Sequence, residues 1–360
     1  MPKIVPALSA GLAARGHAVE WSPWGSARGQ ERLLERMRAR WTDALRARAA
    51  AVESGADIVV VHTGNDWRSV SRDWVLLRLL RSTKAVSMVV LHGSLPSAVE
   101  GRPMSLFARF TLATLRQAAV VGVLSSTELK AWRALLPETM IVQVKNPVPV
   151  NDVDAAFDLC NRTEPGPILF VGRLIEAKGC SRVISAYSGI AREIRPGLVI
   201  AGAGPERMPL EAQVGALGLD GEVSFVGEVG APALEELYRS ASMLVLPTVA
   251  PSEGLPMVLL EAAVNGVPVI TAAYRGAVDY FKNERTALFV DPLDVPALSG
   301  AMRRLLEDRE MASLMSARLR RLSMDFTPDV VAAEYEQVLQ GALERVLDDT
   351  SANMRVTRAL

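Results

Sequence analysis

Cysteine and histidine are scarce in this sequence. Its 360 residues include two cysteines, Cys160 and Cys180, and three histidines. So few cysteines and histidines exclude a disulfide framework and the common metal-ligand clusters, so we expect reduced thiols and no bound metal. No apolar run reaches the roughly 18–20 residues that span a bilayer, and no signal peptide opens the sequence. We therefore expect a cytoplasmic protein.

Net charge is also absent overall, but the two halves of the chain differ. Residues 1–150 hold 20 Lys and Arg against 11 Asp and Glu, which leaves 20 against 29 for residues 151–360. This asymmetry predicts that the first half meets an anionic partner. We do not expect that partner to be a nucleic acid.

Short apolar runs alternate with helix-length segments along the chain. Residues 4–16 predict a helix that ends at Gly16, and a short strand is expected at Ala18–Trp21. Further strands are predicted at 58–61, 86–91, 120–124, 141–144, 168–171, 198–201, 223–228, 243–246, 267–271 and 288–290. The alternation indicates an α/β fold with parallel sheets, and the length suggests about two domains.

Residues 241–279 are the most informative stretch. They predict a strand, a loop rich in Pro, Ser and Gly, a helix from Pro256 to Asn265 and a second strand. Gly254 allows close ligand approach, and the helix N-terminus behind it favours an anion such as phosphate. Glu253 and Glu261 stand on either side of that site, where carboxylates can accept hydrogen bonds from sugar hydroxyls.

The Glu253-x7-Glu261 pair, set in PSEGLPMVLLEAAVNGVPVI, resembles the signature of the family-four retaining glycosyltransferases of GT-B fold (glycosyl transferases group 1). Upstream, Gly172-Arg173 directly follows a predicted strand, and Lys178 lies five residues after Arg173. This pattern resembles the diphosphate site of that family. The stretch AGAGPE, with Gly202 and Gly204, matches the typical sequence of the glycine turn in that family.

The resemblance implies two Rossmann-like doubly wound domains and a role for each matching residue. Arg173 and Lys178 would neutralise the leaving diphosphate, Glu253 would orient the donor sugar, and Glu261 would accept hydrogen bonds from the ribose. His92 occupies the place of a histidine that contacts the donor sugar, although a structural histidine is equally compatible with the sequence. The remaining donor-site positions are Gly172, Gly202, Gly204, Val226, Gly227, Gly254 and Leu255.

The resemblance also sets the domain boundaries. We expect an acceptor-binding domain at 1–150, a linker at 151–166, a donor-binding domain at 167–326, a helix crossing back to the first domain at 327–347 and a flexible tail at 348–360. The family's first strand and glycine loop have no counterpart here, and Arg275-Gly276 replaces the commoner Gly-Gly pair. Asp152-x-Asp154 lies in the linker and is not expected to bind metal.

Two stretches suggest membrane contact. Residues 30–53 form a basic helical pattern with Leu33, Met37, Trp41 and Leu45 on one face, and residues 103–117 are apolar with Arg109 and Arg116. Such segments can lie on an anionic membrane. The alternative is a docked helix with a solvated basic face.

The sequence therefore predicts a retaining, metal-independent glycosyltransferase that uses a UDP-, GDP- or ADP-linked sugar. The acceptor would be a glycan or a lipid-linked group in cell-surface polysaccharide or glycolipid synthesis, reached from the inner face of the membrane. The alternative is a non-catalytic nucleotide-sugar-binding paralogue that acts as a partner or scaffold.

Overall fold

The computed structural model describes residues 3–21, 33–94, 105–149, 165–250 and 253–358. The chain divides into two compact units. The first comprises residues 1–147, 252–254 and 328–360, and the second comprises residues 148–251 and 255–327. Most of the predicted linker, including Asp152, Asp154 and Cys160, lies outside the described residues.

The first unit is built on a parallel four-stranded sheet in the order β1-β2-β3-β4. Its strands are β1 (Ile58–Thr63), β2 (Val86–Leu91), β3 (Val120–Val123) and β4 (Met140–Gln143). The strands expected at these places are confirmed. The strand expected at Ala18–Trp21 is wrong: that segment is irregular, most of its side chains are exposed, and no described strand pairs with it.

The helices of the first unit are α1 (Ile4–Ala14), α2 (Leu33–Glu53), α3 (Trp67–Leu80), α4 (Leu106–Leu115), α5 (Ser126–Leu135) and α13 (Pro328–Arg358). Helix α3 packs against both α2 and α4, whereas α1 packs against α13. A side chain at Gly11 of α1 would overlap the backbone of Pro328, so that glycine lets the two helices approach. The helix predicted to end at 347 continues to Arg358, so the expected tail is helical over most of its length.

The second unit carries a parallel six-stranded sheet in the order β10-β9-β8-β5-β6-β7. Its strands are β5 (Ile168–Val171), β6 (Leu198–Ala201), β7 (Val223–Gly227), β8 (Met243–Leu246), β9 (Val269–Ala272) and β10 (Leu288–Val290). The order reverses between β5 and β8, which is the position where doubly wound sheets bind ligands. Strand β9 begins two residues later than predicted, after Pro268, which has no N–H to donate.

The helices of the second unit are α6 (Cys180–Ser188), α7 (Arg207–Ala216), α8 (Ala231–Ser240), α9 (Met257–Val264), α10 (Gly276–Tyr280), α11 (Val295–Glu307) and α12 (Arg309–Ser323). Strands β5 and β8 are buried along their whole length, as expected for central strands with helices on both faces.

Candidate functional site

The loop after β5 carries the two predicted phosphate-binding cations. Arg173 follows Gly172 directly and is exposed, whereas Lys178 ends a short 3₁₀ turn at Glu176–Lys178 and is half-buried. Among the described residues, the Arg173 guanidinium makes no hydrogen bond or ion pair within the protein. The loop therefore presents a cation to solvent at the switch point of the sheet.

Main-chain contacts with the β6 loop fix one side of this segment. The Leu174 N–H donates to the Ala203 carbonyl at 2.9 Å, and the Glu206 N–H donates to the Leu174 carbonyl at 3.1 Å. A Cβ at Gly204 would lie 2.2 Å from the Leu174 carbonyl oxygen. Only glycine permits this approach, which gives the predicted glycine turn a physical reason.

Gly202 is constrained in the same way. Its φ is +140°, and a Cβ there would lie 1.9 Å from the Gly172 carbonyl oxygen. Its N–H donates to the Gly227 carbonyl at 2.7 Å, so the ends of β5, β6 and β7 meet through backbone atoms. Val226 is 41% exposed beside this junction.

The β8 loop fixes the other side of the cationic loop. The Val249 N–H donates to the Ala177 carbonyl at 2.8 Å. Gly179 has φ +77°, and a Cβ there would lie 2.6 Å from the Pro247 carbonyl oxygen. The loop from Gly172 to Gly179 is thus held between the ends of β6 and β8.

Helix α9 holds Glu261, the predicted ribose ligand. The Tyr238 hydroxyl donates to Glu261 Oε2 at 3.0 Å, and the tyrosine is buried. Burial and the nearby Glu261 carboxylate raise the pKa of Tyr238 well above its usual value, which keeps the phenol protonated as a donor. Tyr238 therefore orients one carboxylate oxygen, a role that sequence reasoning missed.

The loop before α9 differs slightly from expectation. Pro256 has an extended backbone and precedes the first helical residue, Met257, although it was predicted to occupy the first helical position. Leu255 is buried, and Gly266 follows the helix with φ +64°. Glu253 and Gly254 group with the first unit.

Gly254 lies against the end of β3. A Cβ there would lie 3.0 Å from Leu124 Cβ and 3.2 Å from Glu128 Oε2. Glu128 is fully buried, and its carboxylate accepts from Ser94 Oγ at 2.6 Å and from Ser125 Oγ at 2.8 Å. The Ser-x-x-Glu spacing from Ser125 is a capping-box pattern that predicts the start of α5, but it gives no hint of the bond to Ser94.

The histidine ring expected at the site has an unexpected partner. His62 Nδ1 and His92 Nε2 are 2.8 Å apart at the ends of β1 and β2. Burial lowers the pKa of His62 to about 4, and burial together with His62 lowers the pKa of His92. Both rings are therefore neutral near pH 7, and the sequence did not reveal their pairing.

The segment after β9 contains a strained residue. Arg275, where the family commonly has glycine, has φ +38°, a value that non-glycine residues rarely adopt. Its guanidinium lies 5.3 Å from the centre of the Tyr274 ring. A groove of about 450 Å³ opens beside it at the ends of β8, β9 and β10, lined by Thr248, Val249, Ala272, Ala273, Tyr274, Phe289, Val290, Asp291 and Pro292.

The structure therefore brings one subset of the predicted residues together directly, namely Gly172, Arg173, Gly202, Gly204 and Gly227. Glu261 lies on a separate helix of the same unit, while His92, Glu253 and Gly254 group with the first unit. The functional roles assigned to these residues stay predictions.

Solved structures with low sequence identity share the fold. Sucrose-phosphate synthase from Thermosynechococcus elongatus aligns with a TM-score of 0.75 at 21% identity, covering 95% of this chain and 93% of that one. The Anabaena protein HepE, solved in complex with UDP and glucose, gives a TM-score of 0.68 at 16% identity over 83% and 81% of the two chains. These are GT-B glycosyltransferase structures, and the predicted fold is confirmed.

Two curated relatives each match less than half of this chain and less than half of their own length. An uncharacterized glycosyltransferase of Methanocaldococcus jannaschii is 36% identical over 39% of this chain and 36% of its own length. A GDP-mannose-dependent α-(1-6)-phosphatidylinositol monomannoside mannosyltransferase of Mycobacterium tuberculosis is 30% identical over 48% and 47% of the two chains. The model of the family Glycosyl transferases group 1 matches residues 156–321. The protein therefore has the GT-B fold and carries a glycosyl transferases group 1 domain across its second unit.

Proposed function

We propose that this protein transfers a sugar from a nucleotide-diphosphate sugar to an acceptor hydroxyl, with retention at the anomeric carbon and without a metal ion. The observation that carries the proposal is the loop with Arg173 and Lys178, held by backbone contacts where the strand order of the second sheet reverses. A diphosphate leaving group needs fixed positive charge, because negative charge develops on its oxygen as the sugar–phosphate bond breaks.

The four predicted charged residues each have a role in this reaction. The acceptor oxygen bonds to the anomeric carbon on the face that the phosphate leaves, and a phosphate oxygen takes the acceptor proton. Arg173 and Lys178 stabilise the departing diphosphate, and Glu253 orients the sugar. Glu261, aligned by Tyr238, accepts hydrogen bonds from the ribose.

Nucleotide binding and transfer by an arginine variant test the proposal. Melting temperature is measured with UDP, GDP and ADP on the native chain, on Arg173→Ala and on Arg318→Ala. Arg318 is a matched control because it is an exposed arginine on α12. A nucleotide at about 100 times its dissociation constant stabilises the folded state by about 2.7 kcal/mol.

We expect one nucleotide to stabilise the native chain and the Arg318 variant but not Arg173→Ala. Transfer from the matching nucleotide sugar should fall by orders of magnitude in Arg173→Ala alone, and the product's anomeric configuration, read by NMR, should match the donor's. Equal nucleotide stabilisation of the Arg173 and Arg318 variants would refute the assigned site. Nucleotide binding without transfer to any glycan or lipid-linked acceptor would favour the non-catalytic alternative.

We propose that the acceptor is a glycan or a lipid-linked group. We also propose that the protein acts at the inner surface of a membrane. The mycobacterial relative is named for a phosphatidylinositol mannoside acceptor. On α2, Trp41 and Leu45 are 49% and 50% exposed, and the helix instead packs through Ala44 and Ala51. Helix α2 is therefore docked, as the alternative expects, but through a side other than the one that carries Trp41 and Leu45, whose side chains are left half-exposed.

A second exposed surface lies on α3 and α4, and we name it the aromatic surface: Trp67, Trp74, Leu106, Phe107 and Phe110. The Trp67 ring lies 5.1 Å from Phe107 and 5.8 Å from Phe110, yet Trp67 remains 53% exposed and Leu106 76% exposed. The exposed charges on residues 67–84 and 105–117 are all basic, namely Arg68, Arg78, Arg81, Lys84, Arg109 and Arg116. Exposed tryptophan among arginines is typical of a surface that binds anionic lipid.

Vesicle binding tests the membrane contact. The native chain should sediment with phosphatidylglycerol vesicles at low salt and not with phosphatidylcholine vesicles. Leu106→Ser combined with Trp67→Ser should abolish sedimentation, whereas Met208→Ser combined with Leu293→Ser, two exposed apolar residues of the second unit, should not. Equal binding by both double variants would refute the proposal that the aromatic surface binds lipid.

Among the described residues, no helix is long and apolar enough to cross a bilayer.

A further inference from the structure

The groove at the carboxyl ends of β8, β9 and β10 has the size and the place of a binding site, and we name it the β9 groove. Its volume of about 450 Å³ falls within the roughly 300–1,000 Å³ of small-molecule sites. The described residues that line it all belong to the second unit. The carboxyl ends of parallel strands are also where doubly wound sheets bind ligands.

Two aromatic residues line the β9 groove. Tyr274 follows β9 and Phe289 lies in β10, and both are half-buried, so each keeps some accessible surface. Their main chains are held in place: the Ala277 N–H donates to the Tyr274 carbonyl at 2.9 Å, and the Phe289 N–H donates to Asn283 Oδ1 at 2.9 Å. The groove therefore offers two apolar ring surfaces on a fixed backbone.

The β9 groove also contains a carboxylate. Asp291 Oδ1 accepts from the Leu293 N–H at 2.9 Å, and the Asp291 carbonyl accepts from the Asp294 N–H at 3.1 Å. Asp291 is exposed, and among the residues that the structure describes none donates a hydrogen bond to its Oδ2. One carboxylate oxygen is therefore held by the protein, and the other is accessible to a ligand.

Arg275 places a positive charge beside the same groove and strains the backbone in doing so. Its guanidinium lies 5.3 Å from the centre of the Tyr274 ring, and its φ is +38°. Glycine would adopt this conformation without strain. Strained residues cluster at functional sites, so the strain at position 275 indicates that the arginine side chain is used.

We infer that the β9 groove binds a pyranose ring of a glycan chain. The C–H bonds on the face of a pyranose are slightly positive, and they pack on the negative face of an aromatic ring such as Tyr274 or Phe289. Sugar hydroxyls both donate and accept, so they can donate to Asp291 Oδ2 and accept from the Arg275 guanidinium. A phosphate group is a poorer match, because the Asp291 carboxylate would repel it.

The β9 groove is next to the loop at residues 172–179 but does not include it. Val249 lines the groove, and its N–H donates to the Ala177 carbonyl of that loop at 2.8 Å. Strand β8 stands between β5, which leads into the loop, and β9. The groove therefore holds a sugar that does not itself react, which goes beyond the proposed function and does not require transfer.

An array of immobilised oligosaccharides tests this site on the full native chain without nucleotide. The array spans chains of hexoses, hexosamines and uronic acids, and titration calorimetry of a bound oligosaccharide gives its Kd. We expect the native chain to bind at least one class of these chains. An array on which the native chain binds no oligosaccharide would overturn the inference.

Arg275→Gly locates the binding, because it removes the guanidinium and relieves the strain together. We expect the Kd of the oligosaccharide to rise roughly tenfold or more, as for the loss of an anchoring side chain, while the melting temperature stays equal or rises. Weaker binding by a fold that is no less stable cannot result from misfolding. Arg285→Gly is the matched control, since Arg285 is an exposed arginine of the same unit that does not line the groove, and its Kd should match the native value.

Two variants of Tyr274 test the stacking contact. Tyr274→Phe keeps the ring and should bind the oligosaccharide as the native chain does, whereas Tyr274→Ala should bind roughly tenfold more weakly. Equal binding by the native chain, Arg275→Gly and Tyr274→Ala would overturn the inference by placing the glycan elsewhere.

Nucleotide stabilisation of Arg275→Gly separates the β9 groove from the donor site. We expect UDP, GDP and ADP to act on this variant as they act on the native chain. Loss of nucleotide stabilisation together with glycan binding would overturn the inference, because the groove would then be part of the donor site. Glycan binding that depends on Arg275 and Tyr274 in a chain that transfers no sugar would reject the proposed function and support the groove.

Discussion

Replacing Gly202 by alanine should detach the cationic loop from its support. The new Cβ would lie 1.9 Å from the Gly172 carbonyl oxygen, well inside the 3.0 Å below which such contacts are not found, and φ is +140°. The obstructing atom is backbone, so it cannot rotate away. Strain at such a φ costs about 1–3 kcal/mol and overpacking costs another 1–3 kcal/mol, so we expect a loss of about 4 kcal/mol.

Gly218→Ala is the matched control for this prediction. Gly218 also has a positive φ, +64°, but a Cβ there meets nothing within 4 Å. Its alanine variant should lose only about 1–2 kcal/mol, the cost of the backbone conformation. At roughly 2–4 °C per kcal/mol, the Gly202 variant should melt about 8–16 °C below the native chain and the control about 2–8 °C below it.

The assay is thermal unfolding with and without the stabilising nucleotide. We expect Gly202→Ala to lose nucleotide stabilisation as well, because the β5 loop must shift by about 1 Å or more, a displacement that can cost up to about 100-fold in activity. Gly218→Ala should keep it. Identical melting and identical nucleotide response in the two variants would refute the close-approach reasoning.

Three further predictions follow from single residues. Arg275→Gly should raise the free energy of unfolding by about 1–3 kcal/mol, measured by urea denaturation, because glycine removes the strain at φ +38°; an unchanged midpoint would contradict it. Tyr238→Phe should destabilise the second unit by about 1–3 kcal/mol and weaken nucleotide binding, because Glu261 loses a donor at 3.0 Å; calorimetric titration that matches the native chain would reject this role. The lowered pKa of His62, about 4, means that the unfolded chain binds more protons below pH 6.5, so stability should fall as pH drops from about 6.5 to 4. His62→Asn should flatten that slope in pH-dependent denaturation, and an equal slope would show that other groups dominate.

The second sheet could be predicted closely because its central strands are buried on both faces. Such strands are continuous apolar runs, and Ile168–Val171 and Met243–Leu246 lie where the sequence predicts them. Gly202 and Gly204 were also recognisable, since the turn depends on the absence of a side chain, which is a local property of the sequence.

Features that depend on which surface a helix turns inward were not predictable. The apolar spacing of Trp41 and Leu45 fits either a membrane-facing or a docked side, but α2 packs against α3 and buries Ala44 and Ala51, small residues that allow close helix packing. The spacing of apolar residues shows that a helix has an apolar side, but it does not show which side packs against the rest of the protein. The strand prediction for Ala18–Trp21 was wrong for a related reason. A segment with strand propensity forms a strand only when a neighbouring strand pairs with it.

Contacts between residues far apart in the sequence could not be predicted either. His62 and His92 are thirty residues apart, and Ser94 bonds Glu128 across thirty-four. The two histidines and Ser94 lie at or just after strand ends, and Glu128 lies in the first turn of α5, so the sequence predicts only that they are near one edge of the sheet. The atom that meets each partner depends on sheet register and ring rotation, which periodicity does not encode.

The backbone attachment of the β5 loop bears on how this protein can evolve. Leu174 and Ala177 are held through main-chain N–H and carbonyl groups, so the loop keeps its place whichever side chains it carries. Under the proposed function, substitutions at Arg173 should therefore weaken diphosphate binding with little loss of folding free energy. Diphosphate binding and thermal stability should be separable at this loop, whereas at Gly202 and Gly204 they should change together.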